Sequence, residues 1–275
     1  EAFIAVNRLL RAGDAVYRAT AGVDAGGRSW PAGAFIVAAA AGAHARVEEA
    51  AKSLGLTIVA LDQPPSGDLV RVKAPRVGLY NAWGGNMDEG WTRWLLEQYE
   101  FPYTTLRDKD IRAGNLRAKF DVVLWPDATY EAMRNGLAPG TMPDEYTGGM
   151  TPRGVANLYA FAADGGTLVA MDRAASLPLE TFGLQVRNAL DGLRDNELFI
   201  PGTLLRIAVD PTHPVAWGMP QEAAAFFINS PAFTVGRERS RFETDMGLQA
   251  PRPAGVNVVA SYPGKDLLLS GWLLG

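Results

Sequence analysis

The sequence predicts an α/β protein in which a doubly wound parallel sheet follows a small α/β unit. Two observations carry this prediction. From residue 76 onward, short apolar segments alternate with segments of helical periodicity, a rhythm typical of parallel sheets that helices cover on both faces. Before it, a Pro-rich run at residues 63–67 continues neither a helix nor a strand. At 275 residues the chain exceeds the usual length of one domain, so we expect two, at residues 1–72 and 73–275.

The first predicted domain begins with a helix. Apolar residues from Phe3 to Leu10 carry helical spacing, and Gly13 is a plausible end to it. The elements that follow are predicted as a strand at 14–20, a Gly-rich turn at 24–27 that joins it to a strand at 34–39, a helix at 44–54 and a strand at 57–61.

The second predicted domain has the order of a flavodoxin-like core. Gly165 ends one of its helices, because glycine accepts the left-handed conformation of a helix cap. From Phe199 onward we expect antiparallel strands, and from the strand and turn at 267–275 a domain truncated at its C-terminus. The predicted core elements are a strand at 77–80, a helix at 88–99, strands at 102–106 and 121–125, a helix at 153–163 and a strand at 167–171.

Composition excludes several classes of function. The net charge is −4, with no segment in which Lys and Arg gather, so we expect no nucleic-acid surface. No apolar run is long enough to span a bilayer, and no signal peptide is visible. The chain contains no cysteine, which removes disulfides, thiolate metal sites and any cysteine nucleophile.

Several motifs, which occur in a fixed order along the chain, resemble those of one kind of domain. This is the class I glutamine amidotransferase-like domain that follows the catalytic domain in large bacterial carboxypeptidase A-like zinc metallopeptidases. The resemblance covers about residues 76–235 and, more loosely, residues 1–75 as the linker domain of such proteins. Residues 210–220 are also similar to a segment of trehalose-utilisation-type amidotransferase-like proteins. The motifs lie at 76–80, 87–99, 101–103, 108–114 (Asp-x-Asp-Ile-Arg-Ala-Gly), 121–127, 143–149 and 165–172.

The chemistry of that family does not carry over to this chain. Its peptidases bind zinc through a His-x-x-Glu pair and a distant second His, whereas this chain has only His44, which precedes Glu48 by four residues, and His213. An active amidotransferase needs a cysteine in a sharp turn, here expected at residues 171–176, where none stands. We therefore expect no catalytic residue, no metal site and no cofactor in this chain, with zinc only in the absent catalytic domain.

Five residues at predicted strand ends are candidates for ligand binding. Trp83 and Asn86 follow the first core strand, where ligands of doubly wound sheets lie and glycines permit close backbone approach. Asp127 and Asp172 each end a core strand, and paired carboxylates there could bind a metal or act as acid and base. The structural alternatives are that Asn86 caps the following helix and that the aspartates cap helices or pair with Arg173.

Two other constellations have simpler structural interpretations. Ser176 and His213 lack any frame that would make them a nucleophile and base, so we expect His213 to be a turn residue bonded to backbone. Trp91 and Trp94 lie three residues apart on one helix, which core packing explains more simply than a carbohydrate platform. Trp30 and Trp83, in or beside Gly-rich turns, are the predicted exposed aromatics for sugar or peptide contact.

The expected function is that of a non-catalytic accessory module. The resemblance implies that it packs against the catalytic peptidase domain of the same polypeptide, or binds a peptide or sugar, and that it is periplasmic or secreted. One alternative is an independent hydrolase that uses Asp127, Asp172 or Glu145. Another is an oligomerisation or carbohydrate-binding module, which would make the chain a homo-oligomer or a sugar binder.

Overall fold

An antiparallel sheet with two helices forms the N-terminal part of the computed structural model, which describes residues 1–228, 230–236 and 255–275. Strand order in this sheet is β4-β1-β5, and β2 and β3 form a separate hairpin. The elements are α1 (Ala2–Arg11), β1 (Val16–Ala19), β2 (Val23–Ala25), β3 (Arg28–Trp30), β4 (Phe35–Val37), α2 (Ala43–Leu54) and β5 (Leu69–Arg71).

Most of the N-terminal prediction is confirmed, with two corrections. The Gly-rich turn closes its own hairpin, β2–β3, since Gly26 and Gly27 both adopt the positive φ that such tight hairpins require. The strand predicted at 57–61 is wrong. The third strand is β5 instead, which follows the Pro-rich run at 63–67 and pairs Leu69 with Ala19. The predicted boundary at residues 72 and 73 stays a prediction.

The middle part of the chain forms a parallel sheet with the order β7-β6-β8-β9. This is the order of the first four strands of a flavodoxin-like sheet, so the chain has a mixed α/β fold consistent with the predicted one. Its elements are β6 (Val77–Tyr80), α3 (Met87–Gln98), β7 (Tyr103–Leu106), α4 (Asp108–Ala113), α5 (Leu116–Lys119), β8 (Val122–Trp125), α6 (Tyr130–Asn135), α7 (Thr151–Ala163), β9 (Thr167–Ala170) and α8 (Ser176–Thr181).

One face of this sheet carries the main core. Helices α4, α5 and α6 each pack against α7, and together they cover side chains that point to their side of the strands. Val123 and Trp125 from β8 pack there with Leu158 and Phe161 from α7, and all four are buried. We call this side of the sheet the covered face.

On the other face, helix α3 packs against β6. Two rows of residues cross the sheet on this side, as the strand register defines them: Tyr103, Val77, Val122 and Thr167, and Thr105, Leu79, Leu124 and Val169. Val77 and Leu79 are buried, Val122 and Leu124 are half-buried, and Thr167 and Val169 are exposed. We call this side the open face, because its cover ends midway across the sheet.

Antiparallel strands dominate the C-terminal part, as predicted, although the prediction for residues 237–254 lies outside the described residues. Strand β11 is central and pairs with β12, β14 and β15, while β10 pairs with β13. No helix among the described residues is both long and apolar enough to cross a membrane. These strands are β10 (Val186–Asn188), β11 (Pro201–Val209), β12 (Glu222–Ile228), β13 (Phe233–Val235), β14 (Ala260–Ser261) and β15 (Leu268–Ser270).

Candidate functional site

The five predicted ligand residues all lie at the carboxyl edge of the parallel sheet. Trp83 and Asn86 are in the loop after β6, Asp127 follows β8, and Asp172 and Arg173 follow β9. In doubly wound sheets ligands bind outside this edge. The structure therefore brings the predicted residues to one edge, although their ligand-binding role stays a prediction.

Asn86 joins two of these loops. Its Oδ1 accepts hydrogen bonds from the backbone N–H of Asp88 at 2.7 Å and of Glu89 at 3.2 Å, which makes it the N-cap of α3. Its Nδ2 donates to the backbone carbonyl of Asp127. The capping interpretation is confirmed, and the side chain in addition fixes the loop after β8 against the start of α3.

Asp127 is held by Arg173. The Arg173 Nε donates to both carboxylate oxygens, at 2.9 and 3.1 Å, and its backbone N–H donates at 3.1 Å. Hydrogen bonding to Asp127 raises the pKa of Arg173 above its ordinary value. The Asp127 side chain is only 14% exposed, so this ion pair ties the loops after β8 and β9 together.

Asp172 is the acid whose environment is most unusual. Its φ of 51° lies in the left-handed region, which is uncommon for a residue other than glycine and often marks a functional or strained turn. Its carboxylate accepts a hydrogen bond of 2.6 Å from Ser230 Oγ. Burial, with a further contribution from the nearby Asp127 carboxylate, raises the pKa of Asp172. This turn directly follows β9, where the family resemblance places the amidotransferase nucleophile.

Two neighbours of Asp172 carried no recognisable signal in the sequence. Ser230 lies between β12 and β13, and Tyr262 follows β14. Burial, together with the charge of Asp172, raises the pKa of the Tyr262 hydroxyl. Both residues reach this edge from the antiparallel part of the chain, and only the tertiary fold brings them there.

Trp83 and Trp30 are not the exposed aromatics that the sequence predicts. Both are half-buried. The Arg107 guanidinium stacks 3.9 Å from the centre of the Trp83 ring, and Tyr146 meets the same ring edge-on at 4.7 Å. Arg28 lies 4.1 Å over Trp30. Gly-rich turns predicted exposure, but cation–π stacking covers both rings.

Trp91 and Trp94 are exposed, and the prediction that they pack in the core is wrong. They are 63% and 51% exposed. The side of α3 that faces the sheet is largely polar, with Glu89 buried and paired with Arg93. Helical periodicity identified the apolar stripe correctly but could not tell which side of the helix meets the sheet.

A cleft of about 430 Å³ lies beside the strand-end residues. It is bounded by the loop after β8, the turn after β9, helix α8 and strand β13. Its lining combines aromatic rings with charged and amide groups, and Arg173 is the predicted residue that reaches it. The residues that give it this character are Tyr130, Glu131, Arg173, Glu180, Asn188 and Phe233.

The remaining candidates for catalysis or metal binding serve local structure. Ser176 Oγ donates to the backbone carbonyl of Arg173 at 2.7 Å. His213 Nδ1 accepts from the backbone N–H of Val215 at 3.3 Å, which confirms its interpretation as a turn residue. His44 and Glu48 are an exposed pair on α2. Within residues 1–228, 230–236 and 255–275, no three His, Cys, Asp or Glu side chains gather to hold a metal ion.

No family model matches the sequence, and no curated protein matches it either. One similar solved structure is a ThuA-like protein from Bacteroides uniformis, with 11% identity and a TM-score of 0.34. The match covers 59% of this chain and 61% of that one, so the chain spans less than two thirds of that protein. A TM-score this low assigns no fold, and the α/β assignment rests on the strand order.

Proposed function

We propose that this chain is a non-catalytic accessory module of a zinc carboxypeptidase-like protein. The observation that carries the proposal is the state of the strand-end carboxylates. Both carboxylate oxygens of Asp127 accept hydrogen bonds from Arg173, and the Asp172 carboxylate accepts one from Ser230. A general base needs a carboxylate within reach of a substrate proton, whereas these carboxylates hold loops of the protein to one another.

The partner proposed for the module is the catalytic peptidase domain of the same polypeptide. Support comes from the ordered motifs between residues 76 and 172 that resemble such proteins. Zinc would belong to that domain, and the parent protein would be a periplasmic or secreted metallocarboxypeptidase. A peptide or sugar at the carboxyl edge of the sheet is compatible with this role, since the cleft there offers aromatic and amide groups.

The test is the mass and zinc content of the native gene product, isolated from its own cell with an antibody against this chain. We expect a polypeptide much larger than 29.5 kDa that contains zinc. A zinc-free product of about 29.5 kDa would contradict the proposal.

A second candidate function, a hydrolase centred on Asp172, is favoured by two observations. The left-handed turn and the raised pKa of Asp172 are features of catalytic carboxyl groups. This candidate predicts that the purified chain hydrolyses an ester or glycoside, and that Asp172→Asn abolishes the activity while Ser176→Ala leaves it intact. Absence of hydrolysis over a broad substrate panel would remove it.

A further inference from the structure

The connection between α6 and α7 forms a loop that closes on itself at its base. The backbone N–H of Gly148 donates to the carbonyl of Leu137 at 2.8 Å. Between these two residues, positions 138–145 are all exposed. A compact surface segment whose ends lie close together is an Ω-loop, a kind of loop that is frequently functional. We call residues 137–148 the Ω-loop.

The base of the Ω-loop is packed tightly. A Cβ on Gly136 would overlap the backbone of Gly148, so the two ends of the loop lie against each other. Just beyond the base, the backbone N–H of Met150 donates to the carbonyl of Met133 at 2.9 Å, and both methionine side chains are buried in the main core. The ends of the Ω-loop are therefore fixed to the core.

The tip of the Ω-loop has few attachments. Its hydrogen bonds are local, since Thr141 Oγ1 donates to the carbonyl of Ala138 at 2.6 Å and Thr147 Oγ1 to that of Asp144 at 3.1 Å. Within the described part of the chain, no hydrogen bond joins residues 138–147 to another segment. A segment with exposed backbone and few buried contacts opens at a low cost in free energy.

Tyr146 is the residue through which the tip meets the sheet edge. Its ring contacts the Trp83 ring edge-on, with centroids 4.7 Å apart and planes at 81°. Both residues are half-buried. Trp83 lies in the loop after β6, so the contact joins the Ω-loop to the carboxyl edge of the parallel sheet.

The second contact of the Trp83 ring is of a different kind. The Arg107 guanidinium lies 3.9 Å from the ring centre, and its Nη1 donates to the backbone carbonyl of Asn81 at 2.8 Å and to the Asn81 Oδ1 at 2.9 Å. Asn81 directly follows β6 and Arg107 directly follows β7. Arg107 is therefore anchored between two strand ends, whereas Tyr146 belongs to a loop that is fixed only at its base.

The backbone at the base of the Ω-loop has the unusual conformations expected of a hinge. Thr151, the first residue of α7, has a φ of 61°, which is an outlier for a β-branched residue. Gly148 has a φ of 72°. Strained backbone is concentrated at switch regions and ligand clamps, and hinges are formed by a few residues in loops or at the ends of elements.

We propose that the Ω-loop is a gate over Trp83, which turns about its base and uncovers the indole ring at the carboxyl edge of the sheet. Ligands of doubly wound sheets lie outside this edge. The uncovered ring would accept a flat apolar group in the place that Tyr146 occupies. The gate goes beyond the proposed function, because its motion does not depend on the accessory role.

The test is ¹⁹F relaxation dispersion of the Trp83 resonance in the full chain labelled with 5-fluorotryptophan, which detects the microsecond-to-millisecond exchange of loop gates. Tyr146→Ala removes one edge-on aromatic pair and should raise the open population about two- to tenfold. Tyr146→Phe keeps the ring and should match the wild type. Tyr159→Ala removes a different edge-on pair, with Phe182, and should leave the exchange of Trp83 unchanged.

Two results would overturn the proposal. Absence of exchange at Trp83 in both the wild type and Tyr146→Ala would make the Ω-loop a rigid part of the fold. A rise in the open population in Tyr146→Phe or Tyr159→Ala as large as in Tyr146→Ala would show that the Tyr146 ring does not hold the gate. Neither result bears on the mass and zinc test, so failure of the gate is distinguishable from failure of the accessory role.

Discussion

The two faces of the parallel sheet are built from the same four strands but in opposite ways. On the covered face, Val123 and Trp125 are sealed beneath Leu158 and Phe161. On the open face, α3 meets the sheet through a polar side and leaves Trp91 exposed. The covered face has the organisation of a core, whereas on the open face the apolar stripe of the helix is in contact with solvent.

The comparison shows how a helix can be attached without burying its apolar side. Asn86 caps α3 and bonds the loop after β8, and the Arg93 guanidinium spans from Glu89 to Thr105 at 3.5 Å. These contacts are directional, so they fix the position of α3 and leave its apolar stripe available. Substitutions on the two faces can therefore separate apolar from polar attachment.

The largest difference is expected between two leucines. Leu158→Ala on the covered face should lower the free energy of unfolding by about 2–5 kcal/mol, because it leaves a cavity in a closed core. Leu95→Ala on α3 should change it by no more than about 0.5 kcal/mol, because that side chain is half exposed. Urea unfolding followed by circular dichroism measures both. Equal losses would show that the open face is a second core.

The buried pair of α3 should behave as a polar attachment. Arg93→Ala leaves Glu89 buried without its partner, and we expect a loss of about 2 kcal/mol. This is below the roughly 3–5 kcal/mol of a fully buried pair because Arg93 is one-third exposed. The double variant Glu89→Leu/Arg93→Leu should recover most of that loss in urea unfolding. If the double variant lost more stability than Arg93→Ala, the two charges would each stabilise α3 independently of their pairing.

The covered side also contains a buried acid that makes stability depend on pH. Tyr80 donates to Asp108 at 2.9 Å, and burial raises the pKa of that carboxyl. The folded chain therefore binds a proton more tightly than the unfolded one. The contribution of this proton to the free energy of unfolding is complete below the pKa of an unfolded aspartate, about 3.9. It is lost as the pH rises through the pKa that Asp108 has in the folded chain. As the pH rises between these two pKa values, the free energy of unfolding of the wild type should fall relative to that of Asp108→Asn.

Asp121 is the control for this pH profile. Hydrogen bonds from Arg76, followed by one from Arg117, hold its pKa well below the ordinary value. Its contribution is present above the unfolded pKa and is lost as pH falls. Asp121→Asn should thus remove a dependence of the free energy of unfolding on pH that has the opposite sign. The same slope in both variants would contradict the assignment of either carboxyl.

A small gain in stability is expected from a substitution at Gly90. Gly90→Ala should raise the free energy of unfolding by about 0.5–1 kcal/mol, since alanine favours a helix and meets no neighbour in this fold. A variant that is less stable than wild type would show that the helix needs glycine for its own packing.

Sequence patterns predicted the parallel core well because its signals are local. Short apolar segments that alternate with helices are typical of a parallel sheet covered on both faces. Val77–Tyr80 and Val122–Trp125 have this pattern, and both are strands. Strand β5 was missed because only pairing with β1 makes Leu69–Arg71 a strand. The orientation of α3 was missed because helical periodicity shows which residues form an apolar stripe, but not whether that stripe faces the sheet or the solvent.

At the candidate site, the same limit applies over longer distances. Asn86 as a cap and Asp127 beside Arg173 follow from residue type and position at the ends of strands. The bond between Asp172 and Ser230 joins residues 58 positions apart, and no pattern near either residue indicates the other. Contacts between the parallel and antiparallel parts depend on the tertiary fold.

The most direct test of the difference between the faces is ¹⁹F NMR of the chain labelled with 5-fluorotryptophan, each resonance assigned by a Trp→Phe variant. A soluble paramagnetic agent should broaden Trp91, Trp94 and the 67% exposed Trp272, and spare the buried Trp125. If Trp91 and Trp94 were spared as well as Trp125, the outer side of α3 would be covered in solution, and the difference between the two faces would be contradicted.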